Sequence, residues 1–191
     1  MAEKTPHTSF RRSVEKRLRD ILDGEKTQLN LASTLKIDLH CHDHCSDRSV
    51  EGIPGLLKAV DSYTSTEELL RCQKANGMDV LTITNQAKGK SCFDLRDQGV
   101  EALTGACFLV NDPVTGFDAQ VLVYGFSLAE ESALNKKCRD LSAFVDYTRE
   151  RDLPTVLAHP LKIADADRQP PRLYFDRLAL HFDLFEVMNG N

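Results

Sequence analysis

The chain lacks long apolar runs, a recognisable export signal and paired cysteines. No apolar run approaches the ~18 residues that a membrane span needs, and residues 1–30 contain no hydrophobic stretch of the kind found in a secretory signal. None of the six cysteines forms a CxxC pair. Because no export signal is visible, we expect these cysteines to be reduced thiols in a cytoplasmic protein.

A large excess of positive charge is also missing. The chain carries 24 lysines and arginines against 29 aspartates and glutamates, a formal net charge of -5. This balance argues against a nucleic-acid binder that relies on bulk positive charge, and no stripe of basic and aromatic residues favours polymerase proofreading or another nucleic-acid role. What the chain does have is 191 residues that are 41% hydrophobic, enough for one domain with a sizeable core.

Two regions are expected along the chain, an N-terminal helical extension at residues 1–33 and a folded domain at residues 34–191. Within the extension, Phe10, Val14 and Leu18 form an apolar stripe at helical spacing, with arginines beside it. Such a stripe fits either a surface helix or an organellar presequence. The acidic residues among the arginines favour the surface helix.

Short β-branched runs alternate with helical patterns in the folded domain, which is typical of an α/β fold. Helices are predicted to begin at Ser65 and Ser127, each of which opens a capping box, and after Pro171. The helix that follows Ser127 is predicted to continue unbroken towards Pro154. The predicted strands are TLKIDLH, VLTIT, VEALTGACFLV, DAQVLVYGF, PTVLAHP and DLFEVMNGN.

Polar side chains stand at the carboxyl ends of four predicted strands, at His40, Asn85, His159 and Asn189. In parallel barrels that rim carries the chemistry. A core position is the alternative for His159, but the proline that follows it predicts a sharp exit from the strand. For Asn189 and the nearby Glu186, ordinary strand-end polarity explains the residues as well as a site does. The rim is therefore the predicted location of a functional site.

The stretch KIDLHCHDHCSDRS holds half of the six histidines of the chain. His40 and His42 are two residues apart, so a strand would place both imidazoles on one face, where they can reach one metal. Asp47 could add a carboxylate, and Asp38 could orient an imidazole from behind. Imidazole and carboxylate ligands suit Zn, Mn or Fe. The alternative is a solvated histidine-rich loop.

A small zinc knuckle built from Cys41, His42, His44 and Cys45 is a further alternative. Structural zinc sites usually pair ligands from two separated segments, whereas these four residues lie within five positions. In an extended chain, Cys41 should also point away from its neighbours. The spacing therefore disfavours the knuckle.

The ordered series DLHCHDHCSD, GMDVLTITNQ, GACF, VLVYGF, VLAHP and FEVMNG resembles the successive motifs of the PHP domain (polymerase and histidinol phosphatase). The resemblance covers about Lys36 to Gly190 and is closest to bacterial PHP modules, some of which precede a glycosyltransferase domain. It implies an α/β fold of a particular kind, an incomplete, distorted (β/α)7 TIM-like barrel of the PHP type. The rim of such a barrel holds divalent metals, commonly Zn, Mn or Fe.

The resemblance also implies an activity, the metal-dependent hydrolysis of a phosphate ester on a small phosphorylated substrate. His40 and His42 match the first-motif metal ligands, and Asp47 matches the acid that follows them. His159 matches the histidine of the AHP motif. By this likeness Asp47 and His159 are the implied catalytic residues, and all four residues are implied metal ligands.

Two positions depart from the family pattern. Gln86 stands where the second motif has a ligand histidine, and Cys107 stands where the third has a glutamate. An amide oxygen binds these metals more weakly than an imidazole does, and a thiolate does not replace a bridging carboxylate. A core strand also buries a cysteine by default. Further strands and a late ligand pair of the family are not found before Asn191, so we expect the domain to lack its C-terminal part.

Two functions are consistent with these features. The first is a PHP-type phosphoesterase whose site is impaired because Gln86 and Cys107 replace two ligand residues of the family pattern. The second is a non-catalytic regulatory or interaction module that keeps the fold, as part of a longer protein with a C-terminal glycosyltransferase domain. Neither function involves a nucleic acid or a membrane.

Overall fold

The computed structural model describes residues 35–46, 62–160 and 169–186. Within these ranges the chain forms one four-stranded sheet and five helices, which confirms the predicted α/β class. The strands are β1 (Leu81–Ile83), β2 (Ala102–Asp112), β3 (Phe117–Tyr124) and β4 (Thr155–Leu157). The helices are α1 (Thr66–Ala75), α2 (Lys90–Asp97), α3 (Leu128–Lys137), α4 (Leu141–Glu150) and α5 (Arg172–His181). The predicted extension at residues 1–33 lies outside the described residues.

The sheet has the strand order β1-β2-β3-β4, with β1 parallel to β2 and β3 antiparallel to both of its neighbours. Two single parallel bridges extend this order, one between Ile37 and Val80 and one between Leu157 and Phe185. Within the described residues, the predicted strands TLKIDLH and DLFEVMNGN are present only as these bridges. Every segment except β3 therefore runs in one direction, and their carboxyl ends share one rim.

A turn at residues 113–116 joins β2 and β3 into a long hairpin, and the hairpin is tied to α5 by an ion pair. Asp112 is fully buried, and both of its carboxylate oxygens accept from Nε of Arg177, at 3.1 and 2.9 Å. Burial raises the pKa of the Asp112 carboxyl, but the hydrogen bonds, led by that of Arg177, outweigh burial and hold the pKa below its ordinary value. The carboxylate is thus ionised where it anchors α5.

The helix starts agree with the capping signals, but one predicted helix is wrong. The hydroxyl of Ser65 accepts from the N–H of Glu68, and Ser127 forms a complete capping box with Glu130. The single helix predicted after Ser127 is two helices, because Asp140 caps a new helix by accepting from the N–H of Ala143 at 3.1 Å. None of the described helices is long and apolar enough to cross a membrane.

Helix α2 was not predicted, because its N-terminus carries no capping side chain of its own. Gly89 occupies the cap position, and its N–H donates to the carboxylate of Glu131 on α3 at 2.7 Å. A Cβ on Gly89 would lie only 2.9 Å from the ring of Phe126. The start of α2 is therefore set by tertiary contacts that a local sequence pattern does not contain.

Apolar side chains cover both faces of the hairpin. Alternate residues of β2, namely Ala106, Phe108 and Val110, pack in the main core with side chains of α3, α4 and α5. The helices contribute Leu134, Phe144 and Leu178 to this core. The opposite face carries a smaller cluster of Cys107, Leu122, Tyr124 and Ala158. Because side chains alternate along a strand, a strand buried on both faces reads as a nearly continuous apolar run. Because both faces of the hairpin are packed against other side chains, the strands that position the rim are held in place.

Candidate metal centre

Three imidazoles meet at the rim where the parallel segments end. His40 lies just beyond the bridge at Ile37, and His159 lies just beyond β4. The ring centroids of His40 and His42 are 5.2 Å apart, and those of His40 and His159 are 5.6 Å apart in a stacked arrangement. All three side chains are half-buried. Histidines that are distant in the sequence thus form one cluster.

Glu186 joins this cluster through both of its carboxylate oxygens. Oε1 lies 2.9 Å from Nδ1 of His40, and Oε2 accepts from the backbone N–H of His159 at 2.7 Å. Burial raises the pKa of the Glu186 carboxyl, but the hydrogen bonds and charges of the two histidines outweigh burial and leave the pKa below its ordinary value. Glu186 is therefore a carboxylate at neutral pH, and it links the last described segment to His40 in the first and to His159 after β4.

The backbone of His159 has an unusual conformation. Its φ is +26°, in the left-handed region that residues other than glycine and asparagine seldom adopt. Such a conformation is unfavourable by ~1–3 kcal/mol and persists only where the surroundings enforce it. The carboxylate of Glu186 accepts from the N–H of this same residue. The strain thus occurs at a predicted site residue and is stabilised by another member of the cluster.

His42 is oriented by a buried hydroxyl. Oγ of Ser46 lies 3.3 Å from Nδ1 of His42, and the same oxygen accepts from the backbone N–H of Gln86 at 3.2 Å. Ser46 is fully buried. A hydroxyl oxygen has two lone pairs, so Oγ can accept both from Gln86 and from a hydrogen on Nδ1 of His42, the arrangement that keeps the lone pair on Nε2. This connection links the first loop to the segment that follows β1.

A second carboxylate, Asp43, holds the loop between His42 and Ser46. Asp43 is fully buried. Its Oδ1 accepts from the N–H of Cys45 at 2.8 Å and from Nδ2 of Asn85 at 2.7 Å, while Oδ2 accepts from the hydroxyl of Thr66 at 2.7 Å. Burial raises the pKa of the Asp43 carboxyl, but these donors outweigh burial, so the pKa lies below its ordinary value.

The chain leading into the loop is anchored by two further contacts. Tyr124, in the smaller cluster, donates its hydroxyl to the backbone carbonyl of Leu39. The N–H of Thr84 donates to the carbonyl of Cys41 at 2.8 Å, and the Thr84 hydroxyl accepts from the N–H of Cys41 at 3.0 Å. Burial raises the pKa of the Tyr124 hydroxyl, so this group remains a donor at neutral pH. Both contacts fix the backbone on either side of His40.

The structure brings some predicted residues together and leaves others apart. His40, His42 and His159 share the cluster, whereas Asp47 and Asn189 lie outside the described residues. Of the two positions that depart from the family pattern, Gln86 lies just beyond β1 and forms a parallel bridge with Cys107 in the middle of β2. Cys107 is fully buried in the smaller cluster, with Leu122, Tyr124 and Ala158.

The described contacts bear on two expectations about the first loop. The carboxylate of Asp38 accepts from the backbone N–H of His40 at 3.3 Å, while Glu186 contacts the ring of that histidine, so a role of Asp38 in orienting an imidazole stays a prediction. The thiol of Cys41 lies against the carbonyl of Thr82 at 3.2 Å. That position is on the β1 side of the loop, so the four residues of the zinc knuckle do not converge.

The donor set of the cluster fits a divalent metal. Among the described residues, His40, His159 and Glu186 each offer a ligand atom, and these atoms lie within 4.8 Å of one another. Imidazole nitrogen with carboxylate oxygen is the combination that Zn, Mn and Fe accept.

A second group of ligand atoms within the same distance comprises Asp43, His44 and Cys45. It differs from the first group in that its three residues are consecutive in the chain, and both oxygens of Asp43 already accept hydrogen bonds that hold the loop.

The sequence pattern missed most of the groups that support the histidines. Glu186 was noted only as a polar strand end, and Ser46, Thr66 and Tyr124 carried no signal at all. Asn85 was placed at the rim, but its bond to Asp43 depends on the folded chain. A local motif identifies the imidazoles and does not identify the residues that orient them.

Comparison with known proteins supports a fold and leaves the family open. No family model and no curated protein matches the chain. The structure is similar to that of a protein from Bifidobacterium adolescentis assigned as a metal-dependent phosphoesterase, with 10% identity, a TM-score of 0.51 and coverage of 81% of this chain and 77% of that chain. An amidohydrolase from Chromobacterium violaceum, with bound sulfate and no metal, gives 13% identity, a TM-score of 0.48 and coverage of 76% and 72%. At such identities the first likeness concerns the fold alone, an α/β arrangement that is also found in that metal-hydrolase neighbour.

Proposed function

We propose that this chain is a PHP-type phosphoesterase domain that binds a divalent metal at its rim cluster and hydrolyses a small phosphate ester, with an impaired site. The observation that carries the proposal is the convergence of His40, His42, His159 and Glu186 from three separate segments of the chain. The ordered motifs that resemble the PHP domain and the fold of the phosphoesterase neighbour support it.

His40, His42 and His159 would hold the metal, which we propose to be Zn, Mn or Fe. A bound divalent metal supplies Lewis-acid activation of water and of a phosphoryl oxygen. Ser46 and Glu186 orient the imidazoles by contacts to their Nδ1 atoms. Asp47 remains the proposed base and His159 the other proposed catalytic residue, and Asp47 lies outside the described residues.

The same proposal extends to the architecture and setting of the domain. The parallel bridges that flank the sheet give six strand positions in chain order, from Ile37 to Phe185, which supports a distorted barrel of the PHP type. We propose the domain boundary near residue 34 and a cytoplasmic protein without nucleic-acid or membrane partners. The small phosphorylated substrate is the proposed partner.

One observation favours the second function, a PHP-like regulatory or interaction module without turnover. Cys107 is fully buried in the smaller cluster, against Leu122, Tyr124 and Ala158, as a structural cysteine would be. Gln86, its bridge partner, offers a neutral amide in place of an imidazole. The loss of such groups lowers metal affinity or activity, and a site that binds metal without turning over substrate would fulfil this second function.

The two functions are separated by metal analysis combined with an activity assay. We expect purified protein incubated with Mn²⁺ or Zn²⁺ to retain metal and to hydrolyse p-nitrophenyl phosphate slowly, and the His40→Ala/His159→Ala double variant to lose both properties. His181→Ala is the matched control, because this histidine lies at the end of α5 and outside the cluster. Metal retention without hydrolysis would favour the regulatory module, and an absence of both would refute the phosphoesterase.

A further inference from the structure

Glu186 has contacts that suit a residue acting on the metal ligands better than a metal ligand itself. We propose that Glu186 is a positioning residue, which sets the tautomer of His40 and fixes the backbone of His159. This inference rests on the proposed metal-dependent function and concerns the same site. It assigns to the carboxylate a role that the motif resemblance did not give it.

The first contact determines which nitrogen of His40 is free. The two side chains are 12% and 11% exposed, and Oε1 of Glu186 lies 2.9 Å from Nδ1 of His40. A carboxylate only accepts hydrogen bonds, so Nδ1 of a neutral His40 must carry the ring hydrogen. Nε2 is then left with its lone pair, which is the form of imidazole that binds a metal.

The geometry of an imidazole separates positioning from ligation. Its two nitrogens lie on opposite edges of the ring, so the nitrogen left free in His40 faces away from Glu186. While the contact between Oε1 and Nδ1 persists, Oε1 cannot reach a metal on that free nitrogen. Direct ligation by Glu186 beside His40 would require this contact to be broken.

The second contact requires the carboxylate to accept twice. Oε2 accepts from the N–H of His159, the residue with φ of +26°. A glutamine at position 186 has one oxygen and one NH₂ group. If its oxygen faces His159, the NH₂ faces His40 and favours the tautomer with hydrogen on Nε2. If the oxygen faces His40, the NH₂ faces the N–H of His159 and the strained backbone loses its acceptor.

The direct test compares wild type, Glu186→Gln and Glu131→Gln by ¹⁵N NMR of the imidazoles in metal-free protein. At mildly alkaline pH, in the neutral imidazole of wild type, we expect the hydrogen of His40 on Nδ1. In Glu186→Gln we expect either the other tautomer or a shifted amide signal of His159. Glu131→Gln is the matched control, since Glu131 accepts from one backbone N–H, that of Gly89, and lies away from the histidines.

A metal titration provides the second readout. We expect Glu186→Gln to weaken Zn²⁺ binding by ~10–100-fold, the usual effect of removing a carboxylate behind a ligand histidine, and Glu131→Gln to bind as wild type does. Wild-type His40 with its hydrogen on Nε2, or binding of Zn²⁺ through Nδ1, would overturn the inference and make Glu186 a ligand. If wild type has the expected tautomer but retains no metal, the proposed function fails and the hydrogen-bonding role of Glu186 stands.

Discussion

Two carboxylates at the same rim, the fully buried Asp43 and the half-buried Glu186, have different partners. Asp43 accepts hydrogen bonds from Cys45, Asn85 and Thr66, which are neutral groups that hold a loop together. Glu186 accepts from two histidines of the candidate site, one through its ring and one through its backbone. The comparison shows that burial and a lowered pKa do not identify a functional carboxylate. The partners of the carboxylate show whether it supports the fold or the site.

The largest effect is expected from Asp43→Ala. The change leaves the N–H of Cys45, the amide of Asn85 and the hydroxyl of Thr66 without their acceptor in a buried setting, and each such group is unfavourable by ~1–3 kcal/mol. We predict that the free energy of unfolding falls by about 3 kcal/mol or more, measured by urea denaturation.

Asp43→Asn is the matched control for this prediction. It keeps an oxygen for Cys45 and Asn85, and the hydroxyl of Thr66 can rotate to accept, so a loss of about 1 kcal/mol is expected. If Asp43→Asn weakens Zn²⁺ binding more than Glu186→Gln does, the assignment of Asp43 to the fold and of Glu186 to the site is wrong, because Asp43 would then act on the metal site.

Asp112 sharpens the comparison, because it is a carboxylate whose main partner is a cation. Its folded-state pKa is lowered, so it stabilises the fold above its ordinary pKa of ~3.9 and loses that contribution as the pH falls through the lower folded-state value. We predict that wild type loses stability more steeply below about pH 4 than Asp112→Asn does. Urea denaturation at a series of pH values measures this, and equal slopes in the two proteins would contradict it.

A smaller effect is expected from Tyr124→Phe. The change removes the buried hydroxyl that donates to the carbonyl of Leu39, one residue before His40. We predict a loss of about 1 kcal/mol in the free energy of unfolding, together with weaker Zn²⁺ binding than in wild type. Tyr63→Phe is the control, because Tyr63 is exposed. A Tyr124→Phe protein as stable as this control would show that the hydroxyl does not hold the loop.

The smallest effect on stability is expected from Gln86→His, which should instead change the site. Position 86 is half-buried, and its N–H donates to Ser46, which contacts His42. An imidazole there restores the ligand type that the family resemblance implies, so we predict higher Zn²⁺ content with an unfolding free energy within ~0.5 kcal/mol of wild type. Unchanged metal content by elemental analysis would show that position 86 does not face the cluster.

Prediction from the sequence worked where the signal is local. Runs of apolar residues identified β2 and β3, capping residues identified the starts of α1 and α3, and the HxH pair identified two of the clustered imidazoles. It failed where the determinant is tertiary. The cap of α2 comes from Glu131 on another helix, and the group that orients His40 comes from Glu186, far along the chain. The break between α3 and α4 was readable in principle, because Asp140 is a capping residue.

The central claim is that imidazoles from separate segments bind one metal, and metal-soaked crystals test it most directly. Anomalous diffraction from crystals exposed to Zn²⁺ should place a peak about 2.0–2.1 Å from Nε2 of His40 and from a ring nitrogen of His159, with Glu186 still in contact with Nδ1 of His40. A peak at Asp43, His44 and Cys45 instead, or crystals that take up no metal, would contradict the account.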